Sequence, residues 1–378
     1  MRVRYAPVEE VVIVIADLYL SSAAEAASIR RVELPGLGHI ARYGTGHALT
    51  QGWRPWLAAW AGRAALAGEP PASIASAASR SMASLDESPM VWLATPVHLT
   101  AGLSSVHLDE RGLLQVEPTV RQSLATEFNS TFAGSGFQLE ALSSAGFLLR
   151  GPTVAAVTTV DPARVLGASI TEALPAAADA PRLRRLSAEI EMWLHEHPVN
   201  QRRMQRGRLP ISALWFWGGG IARDSVSARL EAESLSTTQL ADTVPVSAIR
   251  GAALLAATAH APPGAAFGCD PYLHGLWRST GSTAHAVPAD FEEVLGHTDR
   301  RAVFVIELSQ AFDTRREWTI RDALLEADER WVVRALAALR RGDVARVTVV
   351  ANDHKLSLGP RDRLKLWRMP RPALTALQ

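Results

Sequence analysis

The 378-residue chain has one cysteine, Cys269. No disulfide can form within it, and no cysteine-rich zinc site can be built. A reducing compartment fits that composition. Excess charge is also missing: 39 Lys and Arg stand against 38 Asp and Glu, a net +1. No global basic field exists to hold nucleic acid or an anionic membrane. No stretch approaches the roughly 18 apolar residues of a membrane helix. Met1-Arg2-Val3-Arg4 and the run Val11 to Ile15 outline a signal peptide, but Glu9, Glu10 and Asp17 bracket the run with charge, whereas a secretory core is uncharged and longer. The expectation is a cytoplasmic protein with neither nucleic acid nor membrane as partner. The chain also lacks internal repeats, an H-E-x-x-H pair, a G-x-S-x-G elbow, a P-loop and a G-x-G-x-x-G turn.

What is present is globular. Apolar residues make up 48% and charged residues 20%, which excludes wholesale disorder. Eleven Trp against four Tyr is an unusual balance. Val11-Val12-Ile13-Val14-Ile15 is a continuous β-branched run, the signature of a strand buried on both faces of a parallel sheet. Met90 to Thr95, Ile211 to Trp217, Ala302 to Leu308 and Val344 to Val350 read the same way, and Arg361 to Trp367 as a short final strand. Helices are expected from Leu34 to Tyr43 and over 55–67, 70–84, 120–133, 182–196, 247–258 and 316–340. Between residues 97 and 150 the texture changes. Residues 105–109 and 113–116 flank Glu110-Arg111-Gly112 as a hairpin would, and Gly136 to Leu142 and Gly146 to Leu149 read as another strand pair. The class is therefore α/β, with a mostly parallel sheet sandwiched by helices and a small inserted α+β domain at 98–174; residues 1–97 and 175–378 form the larger, discontinuous domain.

Three motifs could carry chemistry. Asp17 and Asp353-His354 follow two predicted buried strands, where open α/β sheets place ligands. Two carboxylates and an imidazole there would suit Mn²⁺ or Zn²⁺ at one site; the bland alternative is that both aspartates cap turns. Trp215-Phe216-Trp217-Gly218-Gly219-Gly220 lets backbone approach a ligand closely, or is a tight turn over packed Trp. His197-Pro198-Val199-Asn200 with Arg203 offers a fork for phosphate or carboxylate, or is a solvated helix end. Cys269 has no basic neighbour in sequence and reads as a packed turn residue.

In order along the chain, several strings resemble one family. Leu34-Pro35-Gly36-Leu37-Gly38-His39-Ile40-Ala41-Arg42-Tyr43-Gly44 is similar to a segment of alkaline-phosphatase-superfamily enzymes. His197-Pro198-Val199-Asn200, Arg203, Gly207, Pro210 and Gly218 to Gly220 resemble archaeal-type cofactor-independent phosphoglycerate mutases. Thr95-Pro96-Val97 resembles that family's entry into its inserted domain, and Asp353-His354 its C-terminal Asp-His. The ending and the Trp-Gly string resemble a bacterial offshoot, the RpfE-type regulatory proteins. The resemblance implies an alkaline-phosphatase-like fold, a serine nucleophile, two metal ions and phosphate-binding arginines. It assigns Asp17, Asp353 and His354 to metal, and Asn200 and Arg203 to the ligand segment, although Ser212 replaces the family's Asn.

The departures are chemical. The nucleophile segment reads Gly52-Trp53-Arg54-Pro55-Trp56-Leu57-Ala58-Ala59-Trp60, with no serine or threonine. The second metal's Asp-x-x-x-His is replaced by Ser309 to Glu317, and no histidine lies between His297 and His354. A two-metal in-line displacement cannot be assembled from what remains. The expectation is a non-catalytic regulatory or ligand-binding protein. Its vestigial site, Asp17, Asp353 and His354, would hold at most one Mn or Zn, and Arg54 would replace a lost cation's charge. Arg54, Asn200, Arg203, Gly218, Gly219 and Gly220 are the candidate ligand contacts for an anionic phosphorylated metabolite or a protein partner. Two other readings stand beside it: an active phosphomutase or phosphatase with a reduced metal site, and a scaffold whose Trp-rich surface binds a partner.

Overall fold

A computed structural model describes residues 7–19, 33–79, 90–102, 104–152, 159–171, 173, 181–222, 264–296, 300–314 and 318–364. The helix expected at 247–258 lies outside these residues. The strands are β1 (Glu10–Ile15), β2 (Thr45–Ala48), β3 (Met90–Ala101), β4 (Val106–Leu113), β5 (Gln138–Ala141), β6 (Phe147–Gly151), β7 (Ala213–Ile221), β8 (Ala265–Phe267), β9 (Arg301–Ile306), β10 (Val347–Ala351) and β11 (His354–Leu358). They form two sheets.

The first sheet runs β2-β11-β10-β1-β9-β8. β1 is its centre, parallel to both neighbours, with Ile13 opposite Val349 on one side and Phe304 on the other. Alternation divides the β-branched run between two cores. Val11, Ile13 and Ile15 pack with the helices Pro35–Tyr43 and Ile320–Ala327, while Val12 and Val14 pack with Trp53, Leu57 and Trp277. Burying each such side chain stabilises the fold by roughly 1.5–3 kcal/mol. This is the α/β class expected from the sequence, a mostly parallel sheet between helices.

The second sheet is built on the long strand β3. β7 runs antiparallel along one side, from Met90 opposite Ile221 to Val97 opposite Ala213. β6 and then β4 pair with the other side, and β5 continues from β6. Met90, Trp92 and Ala94 face the helices Pro118–Thr131 and Pro181–Glu196, whereas Val91 and Leu93 face Ala72 and Ala75 of the helix Pro71–Ser76. The Met90–Thr95 and Ile211–Trp217 segments are thus buried strands as expected, but of this second sheet. The boundary expected at 97/98 falls inside β3. An apolar run reports burial on both faces and is silent about which sheet supplies its partners.

Two local expectations are corrected. Glu110-Arg111-Gly112 is not a turn: β4 runs through it, with an irregularity between the pairs Val97–Leu113 and Leu99–Leu108. A Cβ on Gly112 would lie 2.7 Å from the carbonyl oxygens of Asp109 and His98, so the glycine serves this close approach. At the C-terminal end, Pro360–Leu364 is a 3₁₀ turn, while Lys365 to Trp367 lie outside the described residues. The edge strand is β11, reached from β10 through Asn352 and Asp353, both in the left-handed region (φ 47° and 56°). That is the conformation of a type I′ hairpin turn, which Asn and Asp tolerate better than most residues.

The long C-terminal helix continues from Ile320–Ala327 through a π segment, Asp328–Val333, into Arg334–Arg341, and ends at left-handed Gly342. Its buried Asp328 caps another helix: the carboxylate accepts from Gly36 N (2.8 Å) and Leu37 N (2.6 Å), at the start of Pro35–Tyr43, whose own N-cap Leu34 cannot do so. Among the described residues, no helix is long and apolar enough to cross a membrane. Trp53, Trp92, Trp215, Trp217, Trp277 and Trp331 are buried, so the core reading of the tryptophans holds for these six.

Candidate functional site

The C-terminal ends of the parallel strands converge on a cleft, as open α/β sheets arrange them. Asp17 follows β1, Glu307 follows β9 and Asp270 follows β8. Thr95, Gln115, Asp161 and Trp217 face them across a cavity of about 80 Å³. Arg54 enters it from the start of the helix Trp53–Trp60.

Arg54 is held on four sides. Its Nη1 donates to Asp161 Oδ2 (2.5 Å) and its Nη2 to Asp270 Oδ2 (3.0 Å). The guanidinium carbon lies 4.3 Å from the centre of the Trp53 ring and 4.7 Å from that of Trp217. The two aspartates are prepared for it. Each precedes a proline and caps a helical turn with its other oxygen: Asp161 Oδ1 accepts from Ala163 N (3.0 Å), and Asp270 Oδ1 accepts from Leu273 N (3.1 Å). Burial opposes the charge on Arg54, but the carboxylates of Asp161 and Asp270 outweigh it and raise its pKa. Tyr272 donates its hydroxyl to the Arg54 carbonyl (2.9 Å).

The remaining acids are differently engaged. Asp17, 4% exposed, accepts from Leu308 N (2.7 Å) and Ser309 N (2.8 Å), tying the end of β1 to the turn after β9. Burial still raises its pKa, and those backbone bonds only temper the shift. Glu307 accepts from Gln310 Nε2 (2.8 Å) and, across the cleft, from Gln115 Nε2 (3.3 Å). Burial, reinforced by Asp270, pushes its carboxyl up to about 7. Asp353 pairs with Arg164 (2.7 Å) and accepts from the Tyr19 hydroxyl (3.2 Å), and Arg164 stacks 4.5 Å over the Tyr19 ring. Burial raises the pKa of Tyr19. Gly52, at φ 84°, leaves room for this pair: a Cβ there would meet Arg164 Nη2 at 3.0 Å and Asp353 Oδ1 at 3.2 Å.

Asp17, Asp353 and His354 therefore have other partners. The His354 ring Nδ1 lies 2.9 Å from the Asn352 carbonyl oxygen. Among the described residues, no three His, Cys, Asp or Glu side chains are grouped to hold a metal ion. The guanidinia of Arg54 and Arg164 pair with three of the acids, Asp161, Asp270 and Asp353.

The other candidates also acquire structural work. Asn200 uses both ends of its amide: Nδ2 donates to the carbonyls of Leu194 (2.7 Å) and Ile211 (2.8 Å), and Oδ1 accepts from Ile211 N (2.7 Å). His197 caps the helix Pro198–Gln205 through Nδ1, which accepts from Val199 N (3.1 Å), and its Nε2 meets Glu127 Oε2 at 3.0 Å. The string is a buried joint between two helices rather than a solvated end. Arg203 donates to the carbonyls of Leu209 and Gln115. The three glycines of β7 lie against packed atoms. A Cβ on Gly218 would be 3.0 Å from Pro71, on Gly219 2.4 Å from Trp92 Nε1, and on Gly220 2.3 Å from Ser73 Oγ. Their bareness admits the helix Pro71–Ser76 and Trp92. Burial raises the pKa of Cys269, which fits a packed turn cysteine.

The residues that sequence reasoning missed are Asp161, Asp270, Arg164, Tyr19 and Glu307. Asp161-Pro162 and Asp270-Pro271 carried a legible signal, the Asx-Pro start of a helical turn. Glu307 stood at the end of an expected strand.

No protein-family model matches the chain. A stretch of 66 residues, 18% of the chain, is 38% identical to 16% of a probable 2,3-bisphosphoglycerate-independent phosphoglycerate mutase of Geobacter sulfurreducens. A stretch of 61 residues, 16% of the chain, is 38% identical to 16% of the 2,3-bisphosphoglycerate-independent phosphoglycerate mutase of Methanothrix thermoacetophila. The match thus spans under a fifth of each curated relative. Among solved structures, the cofactor-independent phosphoglycerate mutase of Thermoplasma acidophilum aligns over 93% of this chain and 90% of its own, at 13% identity and a TM-score of 0.33. The PH0037 protein of Pyrococcus horikoshii aligns over 94% of this chain and 88% of its own, at 11% identity and a TM-score of 0.40. The proteins brought out by sequence are phosphoglycerate mutases, as the motifs implied, over partial coverage.

Proposed function

We propose that this chain is a phosphoglycerate-mutase-like protein on an alkaline-phosphatase-like scaffold that has lost catalysis and acts by binding, with an anionic phosphorylated metabolite or a protein as its partner. Arg54 carries the reading. It stands in the segment where the family resemblance implies the nucleophile, and its guanidinium is bonded to both Asp161 and Asp270 in the cleft. A guanidinium is no nucleophile at neutral pH. Three further features support the reading: the absence of serine and threonine from Gly52 to Trp60, the replaced second-metal motif, and the engagement of Asp17 by two backbone amides.

The test combines elemental analysis of the purified chain with mutase and phosphatase assays in added Mn²⁺ and Zn²⁺. The expected outcome is no stoichiometric metal and no turnover above background. Stoichiometric Mn²⁺ together with turnover abolished by Asp353→Ala would overturn it.

A further inference from the structure

β7 is nine residues long and lies at the edge of its sheet: among the described residues, β3 is its one strand partner. The backbone N–H and C=O groups on the outer side of an edge strand need partners, and proteins blunt such edges with charge, proline, short length or a cover. The other edges among the described residues are blunted. β2 and β5 have four residues each. β8 has three and is bridged by His285, which donates its backbone N–H to the Ala266 carbonyl (2.8 Å) and accepts from Gly268 N (2.8 Å). β4 carries Asp109, Glu110 and Arg111. β7 has neither a charged residue nor a proline from Ala213 to Ile221.

The glycine end of β7 is covered, with Gly218 and Gly220 against Pro71 and Ser73. The other end opens on a slot. Ala213 to Phe216 all line a cavity of about 300 Å³. Successive residues of a strand alternate between its faces, so four in a row meet one cavity where it runs along the strand's edge. β3 occupies the inner edge, so the cavity follows the outer one. At about 30 Å³ per water, the space equals roughly ten waters, room for a short extended segment and none for a folded element.

The slot has a wall on each face of the sheet. On one face Leu214 and Phe216 pack with the helix Pro181–Glu196, whose Leu183 and Ala188 reach the cavity. On the other, Ala213 and Trp215 pack with Ile170, and Trp215 fixes that wall by donating Nε1 to the Val160 carbonyl (2.9 Å). Thr159 Oγ1, buried and without a hydrogen-bond partner among the described residues, lies on the same wall. A strand entering here would meet apolar side chains on both faces, as a central strand does. Arg184 and Glu191, of opposite sign and about two helical turns apart, stand exposed at the mouth.

We infer that the slot takes an extended apolar segment of a partner protein, which adds to the outer edge of β7 as the next strand of the second sheet. Backbone hydrogen bonds to Ala213–Phe216 hold the segment, and its apolar side chains fill both walls. An acidic and a basic flanking residue complement Arg184 and Glu191 and set its direction. The slot and the Arg54 cleft share no lining residue, so the inference goes beyond the reading proposed above and stands whether or not the cleft is catalytic.

Fluorescence anisotropy on the full chain tests it. The probes are two fluorescein-labelled hexapeptides, Glu-Val-Ile-Val-Ile-Lys and Lys-Val-Ile-Val-Ile-Glu, one for each strand direction. The tighter binder is then N-methylated at one or the other alternate set of amides, which keeps the side chains and removes the donors of one edge. The expected result is saturable binding of one hexapeptide below about 100 μM, weakened about tenfold or more by one of the two methylation patterns. Ala188→Trp, at an exposed helix position on the slot wall, should weaken it by a similar factor. Bound peptide should also slow hydrogen exchange at the amides of Ala213–Phe216, a readout that needs no variant. Failure of both hexapeptides to saturate by about 1 mM overturns the inference, as does affinity unchanged by either methylation pattern, or unchanged exchange at those amides. A dimer of the chain that Ala188→Trp dissociates would place a second copy in the slot, overturning the partner segment. Turnover in the mutase assay would end the reading of the cleft and leave this inference standing.

Discussion

Arg54 and Trp217 meet across the cleft, guanidinium carbon 4.7 Å from the centre of the indole ring. One comes from a helix packed on the parallel sheet, the other from the longest partner of β3 in the second sheet. The indole is itself fixed, donating Nε1 to Thr95 Oγ1 at 2.9 Å. The contact therefore joins the two sheets through a charge that Asp161 and Asp270 already demand.

Replacing that charge should be costly. Arg54→Met leaves Asp161 and Asp270 facing each other's field without a cation, and breaking a largely buried pair in this way costs about 3–5 kcal/mol. Urea unfolding should show the midpoint falling steeply, with Arg54→Lys recovering only part of it, because an ammonium cannot serve both carboxylates in the same plane. A loss below about 0.5 kcal/mol would show that the pairing is not structural.

Stability should fall as pH rises through the neutral range. Glu307 is raised from 4.5 to about 7 by burial, so the folded state holds its proton more tightly than the unfolded chain does. Its contribution is fully present below about 4.5 and disappears as pH climbs to about 7. Glu307→Gln should remove this component and be more stable than the parent at pH 8 by about 1–3 kcal/mol. Melting curves from pH 5 to pH 8 on both proteins check the sign; parallel curves would exclude Glu307 as the source.

Two glycines should respond oppositely to alanine. At half-buried Gly219 a methyl group would sit 2.4 Å from Nε1 of the fully buried Trp92, and overpacking there costs about 1–3 kcal/mol. At Gly38, inside the helix Pro35–Tyr43, nothing lies within 4 Å of the new Cβ. Gly38→Ala should stabilise by about 0.4–1 kcal/mol through the unfolded chain and helix propensity. Thermal midpoints moving in the same direction would contradict the packing account.

The buried cap is a third point of strain. Gly36→Ala would bring a Cβ to 2.6 Å from Asp328 Oδ1 and 2.9 Å from Val332. Asp328→Ala would instead strip the bonds to Gly36 N and Leu37 N, at about 1–3 kcal/mol for the orphaned donors. Each single variant should be destabilised, and the double variant should lose less than the sum, because both changes break the same contact. Strict additivity would show that the cap and the glycine are independent.

Much of the frame was legible because it follows from short-range pattern. The run Val11 to Ile15 could only be a two-faced buried strand, and it is the centre of the parallel sheet. The helices near 118–131 and 181–196 fell within two residues of their expected limits. Asp17 and Asp353 reached strand ends as anticipated. What the sequence left open was a motif's use. Asn200 and Gly218 to Gly220 read as ligand contacts because amides and bare backbone bind ligands, but those properties equally serve a helix joint and a close-packed wall.

By itself the sequence decided the α/β alternation, the absence of serine and threonine from the Gly52–Trp60 segment and the absence of histidine between His297 and His354, since each depends only on which residues occur where. Tertiary structure alone decided that β3 and β7 make a second sheet and that Arg54 is shared by Asp161 and Asp270, which are 107 and 216 residues away. Charges so distant in the chain have no local periodicity to betray them; Arg54 meets Asp161 and Asp270 because a buried carboxylate is stabilised by a nearby cation.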